Sequence, residues 1–394
     1  MSVNNMSVEQ AYQLVADLHE QATGQTTVTP TDLSSFISVA QSTLAVGYEP
    51  VLNAITQMVS KTLIAVRPYS RKFAGLEVST EAWGGIVRKI SFADRDPITS
   101  EAFNLVDGQS VDQYKVRKAH VLETHYVGSD TWSEAYTIYE DQLNSAFQSP
   151  QALGEFVTGL MLHFSNEHEQ HLEEFARSAL DNFIAGKNYI DGTETGSVIH
   201  LLSEYNTATG ASPAFTAQTI RQPENFPGFV RWMYARINNI SRMMTERSGL
   251  YQKAITNMPI NRHTPVADQK AYIMADFLSE MEAEVKSITY DNSFLTMADT
   301  EAVGYWQAID TPDAVQVTPV VIDSSAVIAN GTAQSMSNVI GVIFDRDAIG
   351  INIVADDIKQ TPYNAYGRYW NLYRFTNARY YNDFTEKGVV FVLD

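Results

Sequence analysis

The chain has 394 residues, 44% apolar and 19% charged, proportions that exclude wholesale disorder, a collagen repeat and a coiled-coil rod. Its 27 basic and 46 acidic side chains leave a net charge of −19, which argues against gripping nucleic-acid phosphates or an anionic membrane. With no cysteine, disulfides, thiol catalysis and thiolate metal sites are excluded. No basic start with an apolar run opens the chain, so no secretory signal is expected. No apolar stretch approaches the roughly 18 residues of a membrane span.

In chain order, Val8 to Glu20 reads as an amphipathic helix with Leu14, Val15 and Leu18 on one face. A Gly/Thr/Pro-rich link, Gly24 to Thr31, precedes helices over Asp32 to Leu44 and Pro50 to Ile64. Arg88 to Phe92 and Val121 to Val127 alternate polar and apolar and predict the two strands of a long hairpin. Its tip, Asp94 to Asp112, is too long and polar to have a core of its own and is expected to find a partner. Ser149 to Gly186 carries the strongest helical period, capped by Ser149, opened by Pro150 and stopped by Gly186. Such a helix is ~55 Å long. Tyr189 to Phe226 reads as a connecting segment and Phe229 to Arg247 as a helix. A strand follows at Lys270 to Ala275, then a helix capped by Asp276. Val315 to Ile322, Val339 to Phe344 and Ile349 to Val354 are β-rich. Ala271 to Ala275, Val339 to Phe344 and Ile349 to Val354 are expected to share one sheet. An aromatic stretch, Tyr363 to Phe384, and a β run, Val389 to Leu393, close the order.

No motif demands catalysis. His168 and His171 lie three apart beside His163 and several glutamates, one residue short of the zinc-protease spacing. One helix cannot wrap three ligands around an ion, so all three are expected to be structural or solvent-facing. The rival reading is a metal-dependent hydrolase using His168, His171 and a distant carboxylate. Asp345/Asp347 and Asp356/Asp357 could bind Mg²⁺, but each pair is read as turn chemistry after a β run. The Tyr- and Arg-rich stretch from Tyr363 to Tyr381 is read as packing, partly at subunit contacts. Charge is segregated: Lys61 to Arg95 carries a net +4 and Ser149 to Lys187 a net −4.

Several stretches, in this order, resemble the major capsid proteins of tailed bacteriophages, closest to those of short-tailed phages. They are Arg67-Pro68-Tyr69 through Gly75-Leu76-Glu77-Val78, Trp83-Gly84-Gly85-Ile86-Val87-Arg88-Lys89-Ile90, Thr137 to Leu143, Ile343 to Ala348, and Asn364-Ala365-Tyr366-Gly367-Arg368-Tyr369-Trp370-Asn371. The resemblance implies an α+β fold with a peripheral domain built on a long spine helix, an axial domain, an extended hairpin loop and an N-terminal arm. The implied divisions are an arm over 1–45, a peripheral helix segment over 46–70 and the extended loop over 71–128. The peripheral domain with its spine helix then covers 129–225, the axial domain 226–362 and the C-terminal return 363–394. It further implies a self-assembling structural protein with no enzyme activity and no cofactor. Its subunits would form pentamers and hexamers of an icosahedral shell, assembled in the host bacterial cytoplasm. Implied partners are other copies of the chain, portal and scaffolding proteins, and double-stranded DNA through weak non-specific contact. A bacterial nanocompartment shell of similar fold is the nearest alternative. In such proteins the loop of one subunit lies over its neighbour. Arg88 or Lys89, or their neighbours Arg71 and Lys72, are therefore expected to face the acidic helix with its Glu167, Glu173 and Glu174 across a subunit boundary, where residues such as Phe73, Trp83 and Ile90 are expected to supply the apolar burial.

Overall fold

A computed structural model describes residues 8–47, 50–51, 55, 71–78, 87–98, 100, 103–112, 114, 116–127, 130–191, 196–256, 258–288 and 299–394. The chain divides into two compact units. One comprises residues 1–82, 128–175 and 352–379, and the other residues 83–127, 176–351 and 380–394.

The first unit packs helices on a sheet. Helix α1 (Val8–Thr23) buries Leu14, Val15 and Leu18, as its period predicts. Helix α2 (Leu33–Ala45) starts at Asp32, whose carboxylate accepts the Ser35 N–H at 2.7 Å. That hydrogen bond, with those from the Ser35 and Ser34 hydroxyls, holds Asp32 down at about 2. Of the expected helix over 50–64, residues 50, 51 and 55 are helical, and the rest lies outside the described residues. The sheet has the order β12 (Ile349–Gln360), β13 (Tyr369–Asn382), β3 (Asp130–Tyr139). β13 alternates, so Trp370, Leu372, Arg374 and Thr376 all point inward. Trp370 and Leu372 join Phe36, Ile138, Leu143, Phe147, Val157 and Phe164 in one core. A short helix α3 (Glu140–Ala146) leads from β3 to the long α4 (Pro150–Asp191). Ser149 caps α4 through the Ala152 N–H at 3.1 Å, as its position predicts.

The 42 residues of α4 make it ~63 Å long, and it runs through Gly186 instead of stopping there. Gly186 serves packing: a Cβ there would run into the Phe384 ring. The ring of Phe384 stacks on Phe183 one turn earlier, at 5.4 Å between centroids.

The second unit is built on a five-stranded sheet. Its order is β4 (Val198–His200), β14 (Gly388–Val392), β11 (Val339–Asp345), β5 (Gln269–Met274), β6 (Asp299–Val303). Every residue of β11 and β14 is buried, the apolar run of a strand covered on both faces. The segment expected as a plain connection instead folds into β4, α5 (Leu201–Thr209) and α6 (Ala217–Ile220). α7 (Phe226–Thr245) then lays Phe229, Val230, Met233, Ile237, Ile240 and Met244 inward, and α8 (Ala275–Ile288) follows β5 directly. Two small ribbons complete the unit. β7 (Val315–Val317) pairs with β10 (Gln334–Met336), and β8 (Val320–Ile322) with β9 (Ile328–Asn330).

One expectation about sheets is overturned. β5 and β11 do share a sheet, but Ile349 to Val354 begins β12, which pairs with β13 in the other sheet. The reason is saturation. β11 is already bonded to β14 on one edge and β5 on the other. The strand leaving the Asp345–Ala348 turn thus finds both edges of β11 taken.

Candidate assembly site: a hairpin on a buried ionic anchor

Within the second unit, β1 (Val87–Phe92) and β2 (Val121–Tyr126) form the expected antiparallel hairpin, with Lys89 opposite Thr124. Ser91 and Leu122 are its only fully buried residues among those described, so apolar burial contributes little to holding it. Polar contacts hold it instead. The Lys89 ammonium lies 2.6 Å from Asp383 Oδ2 and 2.7 Å from Glu386 Oε1, both carboxylates being buried. Arg262 reaches Glu386 at 3.3 Å and donates to the Ser91 hydroxyl at 2.6 Å. Tyr126 packs on Tyr381 with ring centroids 4.8 Å apart. Where the strands end, Asp94 accepts from Asn261 N–H at 2.7 Å and pairs with Arg247.

One ammonium serves two buried acids unequally. Burial pushes Asp383 up, but the charge of Lys89 and hydrogen bonds from Lys89 and Thr385 outweigh it and hold the carboxyl below its ordinary range. For Glu386 burial wins over Lys89 and Arg262, and its pKa is raised. Burial would lower Lys89, yet the two carboxylates raise it, so the ammonium keeps its charge.

Beyond this anchor the loop is open. Ile98, Phe103, Tyr114 and Val116 are 66%, 89%, 82% and 79% exposed. So many exposed large apolar side chains on one loop mark a surface made for a partner.

The predicted contact residues fare differently. Lys89, expected at a subunit boundary, is committed inside its own chain, because its partners arrive from the far end of the sequence. Arg71 pairs with Glu77 and, at 3.7 Å, with Glu169. Glu173 is buried. Arg88 pairs across the hairpin with Glu123 but stays half-exposed. Lys72 is exposed. Glu167 is half-buried beside His163 at 3.4 Å, and Glu174 is exposed beside His171 at 3.7 Å. Trp83 lies outside the described residues. The anchor acids Asp383 and Glu386 and their companion Arg262 were missed, since nothing local marks residues whose role depends on a strand far away in sequence.

The histidines do not converge. His171 is exposed, His163 is half-buried with its ring 5.2 Å from that of Tyr136, and His168 is buried 3.7 Å from Glu134 in the first unit. The two acidic pairs also separate. Asp345 is turn chemistry, accepting from Asp347 N–H at 2.9 Å and the Thr264 hydroxyl at 2.7 Å. Asp356, expected in a turn, lies within β12 and takes a two-pronged contact from buried Arg374 at 2.7 and 2.6 Å. Burial pushes Asp356 up, and Arg374 more than reverses it. Among the described residues no helix is long and apolar enough to cross a membrane.

Known proteins resolve what this scaffold is. The sequence profile of the Phi29-like phage major capsid protein family matches residues 15–392. The fold is shared with a chain of the capsid structure of Staphylococcus phage Andhra, at 10% identity and a TM-score of 0.50, covering 84% of this chain and 86% of that one. It is also shared with a chain in the structure of head fiber and inner core protein gp22 of native bacteriophage P68, at 9% identity and a TM-score of 0.52, covering 82% and 85%. No curated protein matches the sequence. An all-but-complete family match over a fold with a spine helix and an anchored, open hairpin leaves one identification: the chain belongs to the Phi29-like phage major capsid protein family, a structural, self-assembling protein of the virion shell and not an enzyme.

Proposed function

We propose that the chain builds an icosahedral head from pentamers and hexamers, with the loop beyond β1 and β2 lying on a neighbouring copy. The observation that carries this reading is the contrast along one hairpin: an ionically anchored base and a loop exposing Ile98, Phe103, Tyr114 and Val116. Apolar burial by the loop would supply most of the affinity. Charge would set register: Lys72 and Arg88 face Glu167 and Glu174 of a neighbour, while Arg71, Lys89 and Glu173 drop out of that role. Exposed pairs of this kind add little affinity and mainly steer encounter. The same reading gives the subunit portal and scaffolding proteins as assembly partners in the host bacterial cytoplasm. It gives double-stranded DNA as a cargo touched weakly, as a net charge of −19 favours.

The test is electron microscopy of the purified chain, alone and with scaffolding protein, beside a variant in which residues 98–116 are replaced by a short Gly/Ser turn. Wild type is expected to form shells, and the variant to remain folded and unassembled. Shells formed equally by the variant would refute the loop's role.

A further inference from the structure

The turn between β12 and β13 carries the stretch Asn364-Ala365-Tyr366-Gly367-Arg368, and it is braced far beyond what a surface turn needs. Asn364 closes it three ways. Its carbonyl accepts the Arg368 N–H at 2.7 Å, its side-chain oxygen accepts the Gly367 N–H at 2.9 Å, and its amide donates to the Tyr369 hydroxyl at 3.1 Å. Arg368 adopts a left-handed φ of 53°, uncommon for a residue with a side chain. Its guanidinium then reaches Glu140 at 3.1 Å and Asp141 at 3.2 Å, and its carbonyl accepts the Glu140 N–H at 3.0 Å. Tyr363 donates to the same Glu140 carboxylate at 2.6 Å. All of this fixes the backbone around Tyr366, whose own side chain touches nothing: it is 102% exposed. A rigidly presented, fully exposed tyrosine suits an interface anchor, because little ordering entropy is left to lose on binding.

The second unit carries an open hollow. A cavity of about 260 Å³ is lined by Tyr126, Val127, Val320, Ile328, Tyr381 and Asn382 among others. Val127, Val320 and Ile328 are 67%, 42% and 54% exposed at its walls. The Asn382 amide nitrogen donates to the Ala179 carbonyl at 2.9 Å, but its oxygen is buried with no donor. A buried acceptor left without a donor is costly, and a phenol inserted into this cavity supplies one with an apolar ring behind it.

We infer that Tyr366 of one copy inserts into this cavity on the next copy and donates its hydroxyl to Asn382 Oδ1. The inference rests on the shell-forming reading above, which makes a second copy the occupant. Knob and hole are different patches of the same chain, so the contact is head-to-tail, the type that closes rings.

The test places the photo-reactive benzoylphenylalanine at position 366 and irradiates particles assembled from mixed isotopically heavy and light chains. Heavy-to-light cross-links from 366 into residues 124–127, 320–328 or 380–383 are the expected result. In parallel, Tyr366→Ser is expected to cut the assembled fraction roughly tenfold or more without changing the melting of the unassembled chain. Tyr366→Phe, which keeps the ring and loses the donor, falls between. Shells that form normally from Tyr366→Ser, or cross-links confined to one chain or to other surfaces, overturn the inference and leave the shell reading intact. Failure of the wild-type chain to form any shell or ring overturns both.

Discussion

Replacing Lys89 by methionine keeps the side chain's apolar length and removes its charge. Asp383 and Glu386, each about nine-tenths or more buried, are then left near one another with, among the described residues, Arg262 as the only cation in reach, 3.3 Å from Glu386. Removing one partner of a buried ion pair costs about 3–5 kcal/mol. The Lys89 side chain is 22% exposed, which places the expected loss near the lower end, about 3 kcal/mol. Among the described hairpin residues, Leu122 is the only buried apolar one to offset this. The loss should be local and is best read by native-state hydrogen exchange. Protection of amides in β1 and β2 should fall about 100-fold, since each 1.4 kcal/mol is about tenfold. Amides of β11 and β14 should keep theirs. Adding Asp383→Asn and Glu386→Gln to Lys89→Met removes the stranded charges and should restore most of the protection. A fall of less than about tenfold in β1 and β2, or an equal fall in β11, would refute the anchor. The pH dependence follows from the same groups. The depressed Asp383 stabilises above the ordinary carboxylate range, and that contribution is lost as pH falls through its folded value. The raised Lys89 stabilises below its ordinary 10.5, and that contribution is lost as pH rises through its folded value. Raised Glu386 opposes both, favouring the folded state less once pH climbs above its ordinary 4.5. Hairpin protection should therefore be greatest between the two extremes.

Asp181 on α4 is buried with one oxygen lacking a donor, and burial, only partly offset by Arg177, pushes it up to about 7. Its folded pKa is raised, so the destabilisation grows as pH rises from about 4 to about 7. Asp181→Asn should stabilise the fold at pH 8 by at most about 4 kcal/mol, read as a higher melting temperature, and change little at pH 4. Gly186→Ala should destabilise by about 1–3 kcal/mol in urea titration, because the new methyl meets the Phe384 ring. The same exchange at Gly159, where a Cβ meets nothing within 4 Å, should be neutral or stabilising. Arg374→Lys keeps the charge and loses the fork on Asp356, and should cost about 1–3 kcal/mol by the same titration. Full stability in that variant would show that charge alone suffices there.

Where the determinants are local, the sequence carried them. α1 is legible from the spacing of Leu14, Val15 and Leu18, and α2 from Asp32 as its cap. The start of α4 is set by Ser149 and Pro150, and the alternation of Arg88 to Phe92 marks the hairpin. Each depends on groups a few residues apart, and together with the resembled stretches they determined the fold class and the structural role. What tertiary structure decided depends on partners distant in the chain. Gly186 looks like a stop, but the Phe384 ring makes it a packing position within α4. Ile349 to Val354 has the composition of β11's neighbour, but β14 and β5 hold both edges of β11. Asp356 looks like a turn residue until Arg374 arrives on the adjacent strand. Lys89 reads as a surface cation, and only the return of the chain at Asp383 and Glu386 makes it an anchor. Local pattern selects which elements form; competition for strand edges, for space beside a glycine and for buried counter-charges decides where they go, and those contests are settled only when the chain has closed on itself.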